Sequence, residues 1–225
     1  MNEICGGPSA DFCCNLKSLV LYGNGEIPNV EAPIADFRRL KNIVPFSSTS
    51  FHYLKKLYVK GSDVLISLLT PSTARTLVQL KEITIWGCKR MTEIVANEGS
   101  EAEAGDETAF NNLTILSLNY LPSITAFHSE NRTIKFPSLN TVRVLNCPKL
   151  KIFCSGVLST PKLKQVWMER KQILKKEGDG DGDLNATIKE YWEATLETCD
   201  QKFTQKVFYQ VIEYLTMVRN VRNLI

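Results

Sequence analysis

The sequence predicts an α/β repeat fold: a solenoid of short stacked units with a short-stranded parallel sheet on its concave face and a helical segment at its C-terminus. Three observations predict it. Apolar residues recur at one set of offsets from four successive starting points, and two of those offsets alternate as a strand requires. From residue 188 onward the apolar period changes to three and four, as a helix requires.

With Phe51, Leu77, Phe110 and Phe136 as position zero, apolar residues return at offsets 3, 6, 8, 11, 14 and 17. From Phe110 these are Leu113, Leu116, Leu118, Leu121, Ile124 and Phe127. Of the 28 positions so defined only Ser62 is polar, whereas the 44% hydrophobic composition would fill about 12. Offsets 6 and 8 fall on one side of an extended segment. Offsets 11, 14 and 17 bring the chain back along a helix-like or irregular arc. One such unit cannot exclude water alone, so its neighbours must stack and share a core. Repeat starts at 51, 77, 110, 136 and 160 give steps of 26, 33, 26 and 24. Apart from the 33, these fit the leucine-rich period of roughly 20–29 residues.

Each segment follows in order. Residues 1–12 read as an N-terminal tail and residues 13–174 as the repeats. Cys13, Leu16, Leu19, Leu21, Asn24, Ile27 and Val30 fit a first copy, while Phe37, Leu40 and Ile43 resemble half of one, in a register that residues 31–50 leave open. The long step is explained by residues 97–109, NEGSEAEAGDETA, with five acids and no base, which reads as a solvated loop. The last copy keeps Leu163, Val166 and Met168 and loses the pattern at Lys171. Residues 175–187 are a polar, Gly-rich linker, and residues 188–225 an amphipathic helical cap, with Asp183 or Asn185 placed to begin it. Its apolar face either covers the open end of the repeats or binds a partner.

Several function classes are excluded by absence of their chemistry. No apolar stretch reaches the roughly 18–20 residues of a membrane span, and the N-terminus lacks a secretory pattern. A net charge of +3 is too small to argue for nucleic acid. Seven cysteines without a CxxC pair read as reduced thiols in a cytoplasmic protein, which leaves the Asn-x-Thr sequons at Asn112, Asn131 and Asn185 as chance matches. His52 and His128 form no metal pattern with those cysteines. Asp179, Asp181, Asp183 and Glu190 mimic a calcium loop, but Leu184 stands where its sharp turn wants glycine. No phosphate-binding loop and no catalytic constellation is visible. The expectation is a binding protein, not an enzyme, without cofactor or metal.

The candidate surface is the open face of the strands. It holds Val20 and Tyr22; Lys56, Tyr58 and Lys60; Glu82, Thr84 and Trp86; Ser117 and Asn119; Thr141, Arg143 and Leu145; Gln165, Trp167 and Glu169. Tyr22, Lys56, Tyr58, Lys60, Trp86, Arg143 and Trp167 are the candidate protein-binding residues, since aromatic and arginine side chains supply most interface hot spots. Tyr58, Trp86, Arg143 and Trp167 are expected to align in one stripe.

The segments FHYLKKLYVKGSD, LLTPSTARTLVQLKEITIWGCKRMTEIV, FPSLNTVRVLNCPKLKIF and GDLNATIKE resemble the C-terminal repeats of plant intracellular disease-resistance proteins of the coiled-coil, nucleotide-binding, leucine-rich-repeat type. The resemblance covers about residues 13–190. It implies recognition in plant defence, with an effector, a guarded host protein or the receptor's own nucleotide-binding domain as partner, and neither nucleic acid nor membrane. The family's nucleotide-binding motif is missing, so nucleotide binding is not implied for this chain. An adaptor role, such as the substrate-receptor arm of a ubiquitin ligase, is the alternative.

Overall fold

The computed structural model describes residues 17–22, 34–36, 51–96, 107–175 and 183–196. Two compact units divide the chain, Met1–Ile188 and Lys189–Ile225.

In the first unit every apolar pair at offsets 6 and 8 lies on a short strand. The strands are β1 (Ser18–Tyr22), β3 (Lys56–Lys60), β4 (Glu82–Trp86), β6 (Ile115–Asn119), β8 (Thr141–Leu145) and β10 (Gln165–Met168). They pair in parallel and in register, Leu57 with Ile83, Ile83 with Leu116, Leu116 with Val142 and Val142 with Val166. Parallel neighbours need a long crossover, and the remainder of each repeat supplies it. Two further strands extend the sheet. Strand β2 (Ile34–Asp36) pairs outside β1, and β11 (Lys171–Lys175) turns back antiparallel on β10, giving the order β11-β10-β8-β6-β4-β3-β1-β2. The repeat pattern stops at Lys171 because the chain there reverses into a hairpin.

Residues at offset 10 follow β3, β4, β6, β8 and β10 with a left-handed turn. Gly61, Gly87, Tyr120, Asn146 and Arg170 have φ of 68°, 66°, 55°, 52° and 67°. Glycine adopts this conformation without steric cost, whereas a side chain costs about 1–2 kcal/mol there.

The crossovers form a second hydrogen-bonded layer. The offset-17 carbonyl of each repeat accepts from two consecutive amides of the preceding one: Leu68 and Leu69 bond to Ile94, Ile94 and Val95 to Phe127, and Phe127 and His128 to Phe153, at 2.8–3.4 Å. A three-stranded parallel sheet, β5 (Glu107–Ala109), β7 (Thr133–Lys135) and β9 (Leu158–Ser159), precedes position zero of three repeats. The loop expected over 97–109 therefore stops short: residues 107–109 are strand, held by β7 and by an ion pair of Glu107 with Lys135 at 2.6 Å. One crossover carries a helix, α1 (Pro71–Thr76), capped by Thr70, whose hydroxyl accepts from Thr73 N–H at 3.2 Å, with proline in its first turn.

The core lies between the two layers. Rings at equal offsets stack, Phe110 on Phe136 at 5.3 Å and Phe127 on Phe153 at 5.0 Å, and the two columns meet edge to face. Such contacts add about 0.5–1.5 kcal/mol each beyond their area. Ser62, the one polar template position, is fully buried, and its hydroxyl accepts from Leu65 N–H at 3.2 Å.

Residues 184–196 are helical (α2). The helix thus begins four residues before the expected 188, because Asp183 caps it: its carboxylate accepts from Ala186 N–H at 2.9 Å. Leu184 and Ile188 are fully buried in the first unit. In the second unit Lys189 and Glu193 form an exposed pair at 3.8 Å, and Leu196 is largely exposed. The tail, most of the first copy, the half repeat at Phe37–Ile43, residues 97–106, the linker with Asp179 and Asp181, and the helix beyond 196 lie outside the described residues.

Candidate functional site

Strand pairing sorts the face opposite the core into rows. The first row runs Ser18, Lys56, Glu82, Ile115, Thr141, Gln165; the middle row runs Val20, Tyr58, Thr84, Ser117, Arg143, Trp167. The row nearest the strand ends runs Tyr22, Lys60, Trp86, Asn119, Leu145. Tyr58, Arg143 and Trp167 share the middle row, but Trp86 does not, so the single expected stripe is corrected to two. An offset of 9 against 7 moves a side chain along its strand to the next row. Within the middle row Thr84 and Ser117 separate Tyr58 from Arg143.

The candidates also differ in exposure. Lys56 is exposed and lies 3.4 Å from Glu82. Tyr58 and Lys60 are half-buried, and burial raises the Tyr58 hydroxyl above its ordinary value. Arg143 is exposed on the strand beside Trp167. Trp167 is half-buried between Arg143 and Gln172 of β11, and its buried indole N–H has no hydrogen-bond partner among the described residues. Tyr22 is placed by its backbone, beside Lys60. Val20, Ser117 and Thr141 point away from the core yet are buried. A short side chain flanked by longer ones in a tightly spaced parallel row is covered by them. Glu169 is beyond β10 in a left-handed conformation, φ 47°, and so belongs to the closing turn and not to the face.

The most prominent feature was only half visible in the sequence. Trp86 is 38% exposed, and its ring lies 4.6 Å from that of Tyr120, tilted by 42°. Tyr120 was outside the candidate set because it lies one residue past its strand. The signal available was its alignment with Gly61 and Gly87, which marks the left-handed turn.

Three cysteine thiols and one histidine lie buried away from this face. Burial pushes the Cys88 and Cys147 thiols up to about 11 and also raises Cys154. His128 is buried with Nδ1 2.9 Å from the Val95 carbonyl, which requires the Nδ1–H form, and Nε2 is 3.7 Å from Glu130. Glu130 is in turn 2.7 Å from Arg132 Nε. Among the described residues no three His, Cys, Asp or Glu side chains are grouped to hold a metal, and no helix is long and apolar enough to cross a membrane.

A parallel sheet of in-register strands, repeated apolar offsets and a left-handed turn at the same offset of five repeats define a leucine-rich-repeat protein. The family model for plant disease resistance protein RPS2-like leucine-rich repeats matches residues 37–165, more than half of the chain. The chain belongs to that family. No curated protein and no solved structure gives a significant match.

Proposed function

We propose that this chain is a protein-recognition module of plant immune signalling. It forms a curved solenoid whose concave strand face binds an effector, a guarded host protein or the upstream domains of a receptor. It acts in the cytoplasm, by binding and without catalysis. The observation that carries this reading is the Trp86–Tyr120 pair. Trp86 keeps 38% of its surface exposed on this face, and Tyr120 holds a left-handed position where two other repeats use glycine. Both choices present a broad, rigid apolar surface, beside Lys60 and Asn119.

The test is calorimetric titration of the purified chain with candidate partners, including the nucleotide-binding domain of a receptor of the same family. Trp86→Ala combined with Tyr120→Gly keeps the turn, since glycine suits its φ. Affinity is expected to fall about 30-fold, the equivalent of some 2 kcal/mol. Lys60→Ala is expected to act mainly on association rate and salt dependence. Undiminished binding by a folded double variant would place recognition elsewhere.

A further inference from the structure

Each repeat leaves the same groups waiting for the next one. On the crossover layer two consecutive amides need a carbonyl from the following repeat, and Ile94, Phe127 and Phe153 supply it in turn. The carbonyl at offset 18 needs a donor: Leu69 receives Ala96 N–H at 2.8 Å, and Val95 receives His128 Nδ1–H. At the strand ends the left-handed residue's N–H needs a carbonyl at offset 9 of the next repeat. Gly61 finds Trp86, Gly87 finds Asn119, and Tyr120 finds Leu145.

Among the described residues the repeat that begins at Phe136 has no such successor on its crossover side, and yet these groups are satisfied. Phe153 and Cys154 N–H donate to Asn185 Oδ1 at 2.8 and 3.1 Å, and Asn185 Nδ2 donates to the Cys154 carbonyl at 2.8 Å. One carboxamide thus reproduces both the acceptor and the donor of the missing peptide groups. At the strand ends Asn146 N–H donates at 2.7 Å to Glu169 Oε1, a side-chain oxygen in the place of a backbone carbonyl. Leu184 and Ile188, one helical turn apart and fully buried, flank Asn185 as apolar residues flank the ladder groups of a repeat.

We propose that Asp183–Ile188 is a built-in terminator of the repeat array, in which the Asn185 carboxamide acts as the peptide group of an absent repeat and Glu169 does the same at the strand ends. The array ends here because its last hydrogen-bonding groups are consumed by side chains. A buried amide without a partner is costly, so this end depends on two residues. Both lie outside residues 37–165, the stretch that the family model matches. The proposal is independent of what the strand face binds.

Hydrogen exchange on the full chain tests it, read at the amides of Phe153, Cys154 and Asn146. Asn185→Leu removes both hydrogen-bonding functions at similar volume, and protection at Phe153 and Cys154 is expected to fall roughly tenfold or more. Asn185→Asp keeps the acceptor and is expected to hold those two amides better than leucine does. Glu169→Ala should release Asn146 alone, and Glu169→Gln should restore it. Were packing alone responsible, leucine would protect as well as or better than aspartate, and that order would overturn the proposal. So would unfolding of the Asn185→Asp chain, or an Asn146 amide as slow in Glu169→Ala as in the natural protein. If Asn185→Leu does not fold, the aspartate and Glu169 variants still decide.

Discussion

Single residues at equivalent offsets do the same job with different chemistry. At offset 11 the side chain lies beside backbone groups of the turn, so Ser62 accepts from Leu65 N–H, while the Cys147 thiol approaches the Leu145 carbonyl at 3.5 Å. Two glycines are needed for different reasons. A Cβ on Gly87 would find ordinary space, its nearest neighbour at 4.0 Å, so only its φ of 66° resists substitution. A Cβ on Gly156 would overlap the Arg132 backbone. Gly87→Ala is expected to cost about 1–2 kcal/mol, and Gly156→Ala about 1–3 kcal/mol through backbone displacement. Thermal unfolding ranks them, and adding Arg132 side-chain truncations should not relieve Gly156→Ala, because the overlap is with backbone. The thiols give a pH dependence. Burial holds Cys88 and Cys147 protonated up to about 11, whereas unfolded thiols ionise near 9.0. This contribution is complete below pH 9 and is lost as pH rises toward 11, because the unfolded thiols release their protons first. Urea midpoints from pH 8 to 11 should therefore decline less steeply for a Cys88→Ala/Cys147→Ala chain than for the natural one; parallel declines would remove the thiols from the account.

Among the elements, the core strands were the most legible, because offsets 6 and 8 must both be apolar to bury a strand on one side. Leu57 with Val59, Ile83 with Ile85 and Leu116 with Leu118 are all buried as that rule requires. The outer strands were not legible. Thr133–Lys135 and Leu158–Ser159 are two or three residues long, too short for any period, and their pairing exists only once the repeats have stacked. Strand β5 was hidden further by its acidic composition, since Glu107 is matched by Lys135 from the neighbouring crossover. The start of α2 was missed because Gly-rich sequence precedes it, although Asp183 was correctly seen as a possible cap. For the binding face, residue type and side were readable, but the row of each residue depends on register, which separated Trp86 from Tyr58. These boundaries sharpen one prediction. Replacing residues 98–106 by a short Gly/Ser link, with Glu107–Ala109 retained, should change stability little, because loop closure depends weakly on length. Extending the replacement through 109 should cost clearly more, by removing β5 and its ion pair. Equal denaturation midpoints for the two deletions would show that β5 contributes nothing.

For the repeat unit as a whole, stability is shared between neighbours, since the rings of Phe110, Phe127, Phe136 and Phe153 and the ladder carbonyls serve the adjacent repeat. That modularity carries a hazard. The two margins of the large sheet are unlike, with β2 at one and β11 at the other, and among the described residues neither has a further strand beyond it. Unlike surfaces that fit each other make a head-to-tail contact, so molecules joined margin to margin would grow into open filaments unless the rotation between them closed a ring. The antiparallel turn of β11 works against this: it ends the sheet in a strand of opposite direction whose sequence begins and ends with lysine, Lys171 and Lys175, and lysine at a sheet margin disfavours pairing with a further chain. Replacing both lysines by threonine should leave the chain folded yet produce concentration-dependent polymers in light scattering. A variant that stays monomeric at high concentration would mean that strand direction alone keeps these molecules apart.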